Sequence, residues 1–107
     1  MDNSVTGLVL TLNGQRLLDQ CLASLDFCDE LLVVDSQSTD ETEAIATARG
    51  ARFLVHPWQG PLPQFRYAME NVNTAWVVSL DEAEMLDTEL RESLRDMLRD
   101  PPDLAGA

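Results

Sequence analysis

The segment Leu31-Leu32-Val33-Val34-Asp35-Ser36-Gln37-Ser38-Thr39-Asp40 constrains this chain more than any other. Four apolar residues run without a break, then meet an acid, small hydroxyls and a helix-like stretch. An unbroken apolar run bounded by turn residues fits a strand covered on both faces, as in parallel sheets. Ser38 or Thr39 is expected to cap the next helix, with Glu41 and Glu43 in its first turn. Asp35 then falls at the carboxyl end of the strand, where open α/β sheets bind ligands. A carboxylate taken out of water needs a partner, so the position reads as part of a site.

The same alternation extends along the chain. Val5 to Leu12 is apolar and strand-prone, and Asn13-Gly14 turns it. Leu17, Leu18, Cys21, Leu22 and Leu25 recur at helical spacing. Glu30 to Asp35 is the second strand; a helix follows from about Asp40 to Arg49, and Gly50 stops it. Ala51 to Val55 makes a short third strand. His56 to Pro63 reads as a proline-stiffened loop, followed by a helix over Gln64 to Asn71. Ala75 to Leu80 is a fourth strand, again ending in acid at Asp81. A last helix is expected from about Asp87 to Leu98; the domain then occupies 1–100 and the tail 101–107 frays. Strands alternating with ten-residue helices imply right-handed crossovers and a parallel sheet. Thr11-Leu12-Asn13, Asp35-Ser36 and Asp81-Glu82 would then converge on one crevice.

Charge narrows the ligand. The 107-residue chain carries a net −12, with arginine as its only strong base. Nothing neutralises phosphates in bulk, so nucleic-acid binding is excluded as a class. A small anion remains compatible where an arginine, a helix N-terminus or a metal faces it. The absence of lysine argues against a phosphate-receiver domain, which the acids at strand ends would otherwise suggest. Cys21 and Cys28 are too far apart for a redox or zinc motif, and Cys21 is expected to be a buried free thiol. No apolar run reaches membrane-spanning length and no leader pattern opens the chain, so a cytoplasmic location is expected. There is no Gly-x-Gly-x-x-Gly, Walker A, serine elbow or paired-histidine motif.

Two readings of the crevice compete. In one, Asp35 and Asp81 accept hydrogen bonds from a nucleobase and a ribose, and further acids hold Mg²⁺ or Mn²⁺ against a diphosphate. In the other, the acids merely end strands and cap helices. Among the other residues, Trp76 and Met69 read as core, His56 as structural, and Trp58 as either surface or a stacking platform. The arginines at 91, 95 and 99 read as partners for acids on their own helix.

The ordered set Thr11-x-Asn13, Val33-Val34-Asp35-Ser36-x-Ser38-Thr39-Asp40, Gly50-Ala51-Arg52, Pro57-Trp58-x-Gly60, Gln64 and Trp76-Val77-x-Ser79-Leu80-Asp81 resembles family 2 glycosyltransferases. It is most similar to the bacterial branch that includes lipopolysaccharide-core glucosyltransferases. The resemblance implies a Rossmann-like GT-A half-domain with about four mostly parallel strands in the order 3-2-1-4 and helices on both faces. It implies a nucleoside-diphosphate sugar as ligand, with Thr11, Asn13, Asp35, Ser36, Gln64, Arg66 and Asp81 as its contacts. A divalent metal, Mg²⁺ or Mn²⁺, would be held by Asp81 with Glu82 and Glu84.

The chain also departs from the family pattern. Ala83 stands where the second metal-binding Asp is usual, Gly14 where an acid follows the asparagine, and Phe65-Arg66 where Lys-Asn is common. Arg66 could supply the phosphate cation one position late. A complete family domain is about twice as long, its second half carrying the acceptor site and catalytic base. The expectation is therefore a donor-binding domain for hexose transfer to a carbohydrate or lipid-linked acceptor, incomplete or degenerate as this chain. The alternative is a non-catalytic binding module. An uncovered sheet edge would allow a homo-oligomer or docking of a missing second half.

Overall fold

The computed structural model describes residues 3–81 and 92–93. Strands and helices alternate as β1 (Val5–Thr11), α1 (Leu18–Ala23), β2 (Glu30–Asp35), α2 (Thr42–Ala48), β3 (Arg52–Val55), α3 (Pro61–Glu70) and β4 (Trp76–Asp81). All strand pairs are parallel, in the order β3-β2-β1-β4. Every crossover therefore carries the chain back over a sheet face, and all four strands end on the same edge. Glu92 and Ser93 are helical; the remainder of the expected last helix and the tail 101–107 lie outside the described residues.

The apolar run in β2 explains this architecture. Leu32, Val33 and Val34 are each 0% exposed, so both faces of the strand are covered. Alternate residues feed two cores. Val9 and Val33 meet Leu18, Cys21, Leu22, Leu25 and Ala46 on the α1/α2 side. Leu8, Leu32 and Val34 meet Ala68 of α3 on the other. Truncating one of these leucines to alanine costs about 2–5 kcal/mol by the usual cavity effect. Cys21 is buried and forms no disulfide, as expected. Gly7 sits where β1 meets the first core closely: a Cβ there would lie 3.0 Å from Leu31 Cδ2 and 3.1 Å from Cys28 Sγ and Leu25 Cδ1. A glycine inside a strand often marks such an approach.

Helix boundaries differ from the sequence reading where side chains intervene. α1 stops early, because the Ser24 hydroxyl donates back to the Cys21 carbonyl at 2.7 Å. α2 is not capped by Ser38 or Thr39; its flanking residue Glu41 makes no side-chain cap, and Asp40 Oδ1 instead accepts from the Thr42 amide at 3.0 Å. Gly50 ends this region with φ +76°, the left-handed turn its sequence position suggests. α3 starts at Pro61, inside the segment read as a loop, because proline at a first helical position loses no hydrogen bond and is already set at a helical φ. Met69 is a further correction: it is 39% exposed rather than core, since Gln64 and Ala68 define the buried side of α3. Trp76 is half-buried and Trp58 exposed. Among the described residues no helix is long and apolar enough to cross a membrane.

Candidate functional site

Parallel pairing brings the ends of β2, β1 and β4 together. Thr11 lies opposite Asp35, and Leu10 lies between Val34 and Asp81. The backbone of Asp81 thus ends its strand one residue row before the Thr11–Asp35 pair. The Ser36 amide continues the ladder by donating to the Thr11 carbonyl at 3.0 Å, and the His56 amide donates to the Asp35 carbonyl at 2.8 Å.

Asp35 is 1% exposed and its carboxylate is held locally. Oδ2 accepts from the Ser38 amide at 2.6 Å, and Oδ1 accepts from the Ser38 hydroxyl at 2.5 Å. Each carboxylate oxygen retains a further lone pair. The 69° φ of Gln37, a left-handed value that a glutamine rarely takes, is what lets Ser38 fold back onto Asp35.

The loop after β1 is stitched onto the loop after β2. The Asn13 amide donates to Ser38 Oγ at 2.7 Å, and Asn13 Oδ1 accepts from the Thr39 amide at 2.9 Å. Asn13 itself adopts φ +51°, tolerable because a short amide side chain is well suited to that region. Deeper in, the Gly14 amide donates to the hydroxyl of fully buried Thr42 at 3.0 Å, and that hydroxyl donates to Asp40. Gln15 completes the seam, its amide donating to Asp40 Oδ2 at 3.3 Å and its Oε1 accepting from the Glu41 amide at 3.0 Å. The hydrogen bonds from Thr42 hold the Asp40 carboxyl below the usual carboxylate range.

The third wall comes from α3. Gln64 is fully buried and reaches both Ser36 and His56. Arg66 is exposed, and two residues on along a helix puts it on the opposite side from Gln64. The expected contacts Thr11, Asn13, Asp35 and Ser36 therefore share one edge, with Gln64 behind them and Arg66 turned away. Ser38 and Asp40, which help build the edge, lie in the family-like run but were given no ligand role, and Thr42 and Gln15 belong to no motif. For Thr42 and Gln15 the available signal was only a density of small polar residues beside the strand ends.

Thr11 Oγ1 is the notable atom of the edge. Thr11 is 4% exposed, and Oγ1 has no hydrogen-bond partner among the described residues. A buried hydroxyl left unpaired costs free energy that a bound donor or acceptor would restore. The other such atom, Asn3 Oδ1, precedes β1 at the far edge.

The expected metal finds less support. Carboxylate oxygens suit Mg²⁺ or Mn²⁺. Among the described residues, however, no three His, Cys, Asp or Glu side chains gather into a group that could hold an ion. The Asp81 side chain, Glu82 and Glu84 lie outside the described residues, and Ala83 brings no donor atom. The described residues do not fit a metal by themselves.

Comparison with known proteins settles the lineage. Residues 8–107 match the sequence profile of Glycosyl transferase family 2. The chain belongs to this family. It is 33% identical over 107 residues to the lipopolysaccharide core biosynthesis glycosyltransferase LpsC of Rhizobium meliloti, a match covering 95% of this chain and 40% of that protein. It is 41% identical over 92 residues to a TPR repeat-containing protein of Synechococcus elongatus, covering 84% of this chain and 23% of the other. The glucosyl-3-phosphoglycerate synthase of Mycobacterium tuberculosis, solved with Mn²⁺, UDP and glucosyl-3-phosphoglycerate, superposes with TM-score 0.65 at 26% identity, over 74% of this chain and 33% of that one. TarS of S. aureus shares the fold, with TM-score 0.71 at 21% identity over 91% of this chain and 32% of that chain. The family 2 domain described here thus has the GT-A fold, and it spans 40% of the length of LpsC.

Proposed function

We propose that this family 2 domain binds the nucleoside diphosphate of a nucleotide sugar across the carboxyl edge of β1, β2 and β4. Its part is the donor side of hexose transfer to a carbohydrate or lipid-linked acceptor. The observation that carries the reading is the buried edge itself: the Asp35 carboxylate beside a Thr11 hydroxyl with no partner among the described residues. Asp35 offers acceptor capacity to a base N–H, and Thr11, Asn13 and Ser36 flank it for the rest of the nucleoside. A mycobacterial neighbour was solved with UDP, which supports UDP as the first ligand to try. Asp81, Glu82 and Glu84 are the proposed oxygen donors for Mg²⁺ or Mn²⁺, the ions present in the neighbouring structures. Arg66 is less suited to the phosphate role than its place beside Gln64 in sequence suggests, because it projects from the opposite side of α3. The cytoplasmic location expected from the sequence is compatible with this donor role.

A second reading is favoured by one observation. Ala83 stands where a second metal-binding Asp is usual and cannot ligate a metal, which suits a module that keeps the fold and binds without transferring. Calorimetric titration of UDP with and without Mn²⁺ separates the two. The transferase reading expects binding that strengthens with Mn²⁺ and weakens at least tenfold, about 1.4 kcal/mol, in Asp35→Ala. Absence of UDP binding at millimolar ligand sinks the nucleotide proposal, and binding indifferent to Mn²⁺ favours the module.

A further inference from the structure

The side-chain amide of Gln64 lies between two loops of the edge. Nε2 is 3.1 Å from Ser36 Oγ and 3.3 Å from the His56 carbonyl oxygen, while Oε1 is 2.8 Å from His56 Nδ1. Rotating the amide by half a turn would exchange its nitrogen and oxygen, but chemistry forbids the exchange. The His56 carbonyl only accepts, so the amide nitrogen must face it. The amide oxygen then faces the ring and can only accept, so His56 Nδ1 must carry a proton. That assignment holds for the neutral ring and for the cation alike. Stacking on Tyr67, with centroids 4.3 Å apart and planes 20° apart, holds the plane of the ring.

The consequence reaches Ser36. Both hydrogens of the Gln64 amide are committed, one to His56 and one to Ser36 Oγ. Ser36 therefore accepts from Gln64, and its own hydroxyl proton must point elsewhere. No acceptor for that proton occurs among the described residues, and Ser36 is half-buried directly after Asp35. Gln64, by contrast, is 0% exposed and has no donor left to offer.

We infer that Gln64 is a positioning residue and not a ligand contact: it fixes the Ser36 hydroxyl as a hydrogen-bond donor to an oxygen of the bound nucleotide. This rests on the nucleotide reading and reassigns one residue within it. Gln64 sits behind the edge, and Ser36 delivers its effect.

A double-mutant cycle with UDP as the probe tests the assignment. Ser36→Ala and Gln64→Leu are each expected to weaken UDP binding about five- to tenfold, the value of one ordinary hydrogen bond. The double variant should be no weaker than Ser36→Ala alone, because Gln64 acts only through Ser36. Losses that multiply to about 25- to 100-fold would mean that Gln64 touches the ligand itself and would overturn the proposal. Unchanged affinity in Ser36→Ala, which removes the hydroxyl from a half-buried loop position, would overturn it as well. A second readout needs neither ligand nor variant. Long-range ¹H–¹⁵N NMR of the wild-type protein should show a proton on His56 Nδ1; a ring protonated on Nε2 alone would refute the Gln64 orientation. If the wild type fails to bind UDP, the proposed function falls, while the histidine spectrum still judges the Gln64–His56 geometry separately.

Discussion

Where β2 begins, Glu30 accepts from the Arg52 guanidinium at 2.8 Å, and the same nitrogen donates to the Asn71 carbonyl at 2.9 Å. Where β2 ends, Asp35 takes both of its bonds from Ser38, and no arginine is involved. The starting edge closes on itself in other ways too. Asp29 and Val5 exchange reciprocal bonds, the Val5 amide to Asp29 Oδ2 at 2.8 Å and the Asp29 amide to the Val5 carbonyl at 2.9 Å. A recess of about 350 Å³ there is lined by Leu22, Leu31 and Cys28 among acids. Burial pushes the Cys28 thiol up to about 12, so the group is inert rather than nucleophilic. At the ending edge, hydroxyls and amides from segments some 25 residues apart hold acids that pair with no cation among the described residues. The first arrangement stabilises strand ends cheaply at the surface. The second holds buried anionic and hydroxyl groups in place with bonding capacity left over, which is what recognition of a polar ligand needs.

The sharpest way to break this comparison is to remove one buried hydroxyl from the ending edge and one charge from the starting edge. Thr42→Val keeps the side-chain shape but leaves the Gly14 amide without its acceptor and removes the hydroxyl bond to Asp40. A loss of about 1–3 kcal/mol in urea unfolding is expected, the cost of an unsatisfied buried donor. Glu30→Gln should cost less than about 1 kcal/mol, as exposed ion pairs generally do. Equal losses would mean that the two edges are held by the same kind of interaction.

Much of this architecture was legible in the residues. The β2 span Glu30–Asp35 and the order 3-2-1-4 follow from an apolar run, its abrupt polar end and the family resemblance. The edge was legible only in outline. Asp35 stands out because an acid after four apolar residues is conspicuous, but its partner Ser38 looked like a helix cap. Hydrogen bonds such as Asn13 to Ser38 or Gly14 to Thr42 join positions that only the fold makes neighbours, and no local pattern encodes them. Pro61 misled in a different way, since the ring stiffness that suggests a loop equally suits the first turn of a helix.

Gln37 offers a smaller effect of opposite sign. A side chain held in the left-handed region costs roughly 1–2 kcal/mol, whereas glycine adds about 0.5–1 kcal/mol of unfolded-state entropy. Gln37→Gly should therefore stabilise the domain by about 0.5–1 kcal/mol in the same urea assay. UDP affinity measured in parallel sharpens the point. A variant more stable but weaker in binding identifies the strained turn as part of the ligand edge; unchanged binding assigns the strain to loop geometry alone.

The smallest effect belongs to Asp19 and Arg49, whose carboxylate and guanidinium meet in two bonds of 2.7 and 3.0 Å on the helical layer. The hydrogen bond from Arg49 holds the Asp19 carboxyl below its ordinary value. A carboxylate lowered in the folded state contributes stability above its unfolded value, and that increment disappears as pH falls through the folded one. Both groups are well exposed, so water and salt screen most of the attraction. At neutral pH, Asp19→Asn should leave the melting temperature nearly unchanged. On acidification below the usual aspartate range, the wild type should lose slightly more stability than the variant, and added salt should erase the difference. A neutral-pH loss in Asp19→Asn as large as that of Thr42→Val would show that surface charge, not the buried polar seam, sets the stability of the helical layer.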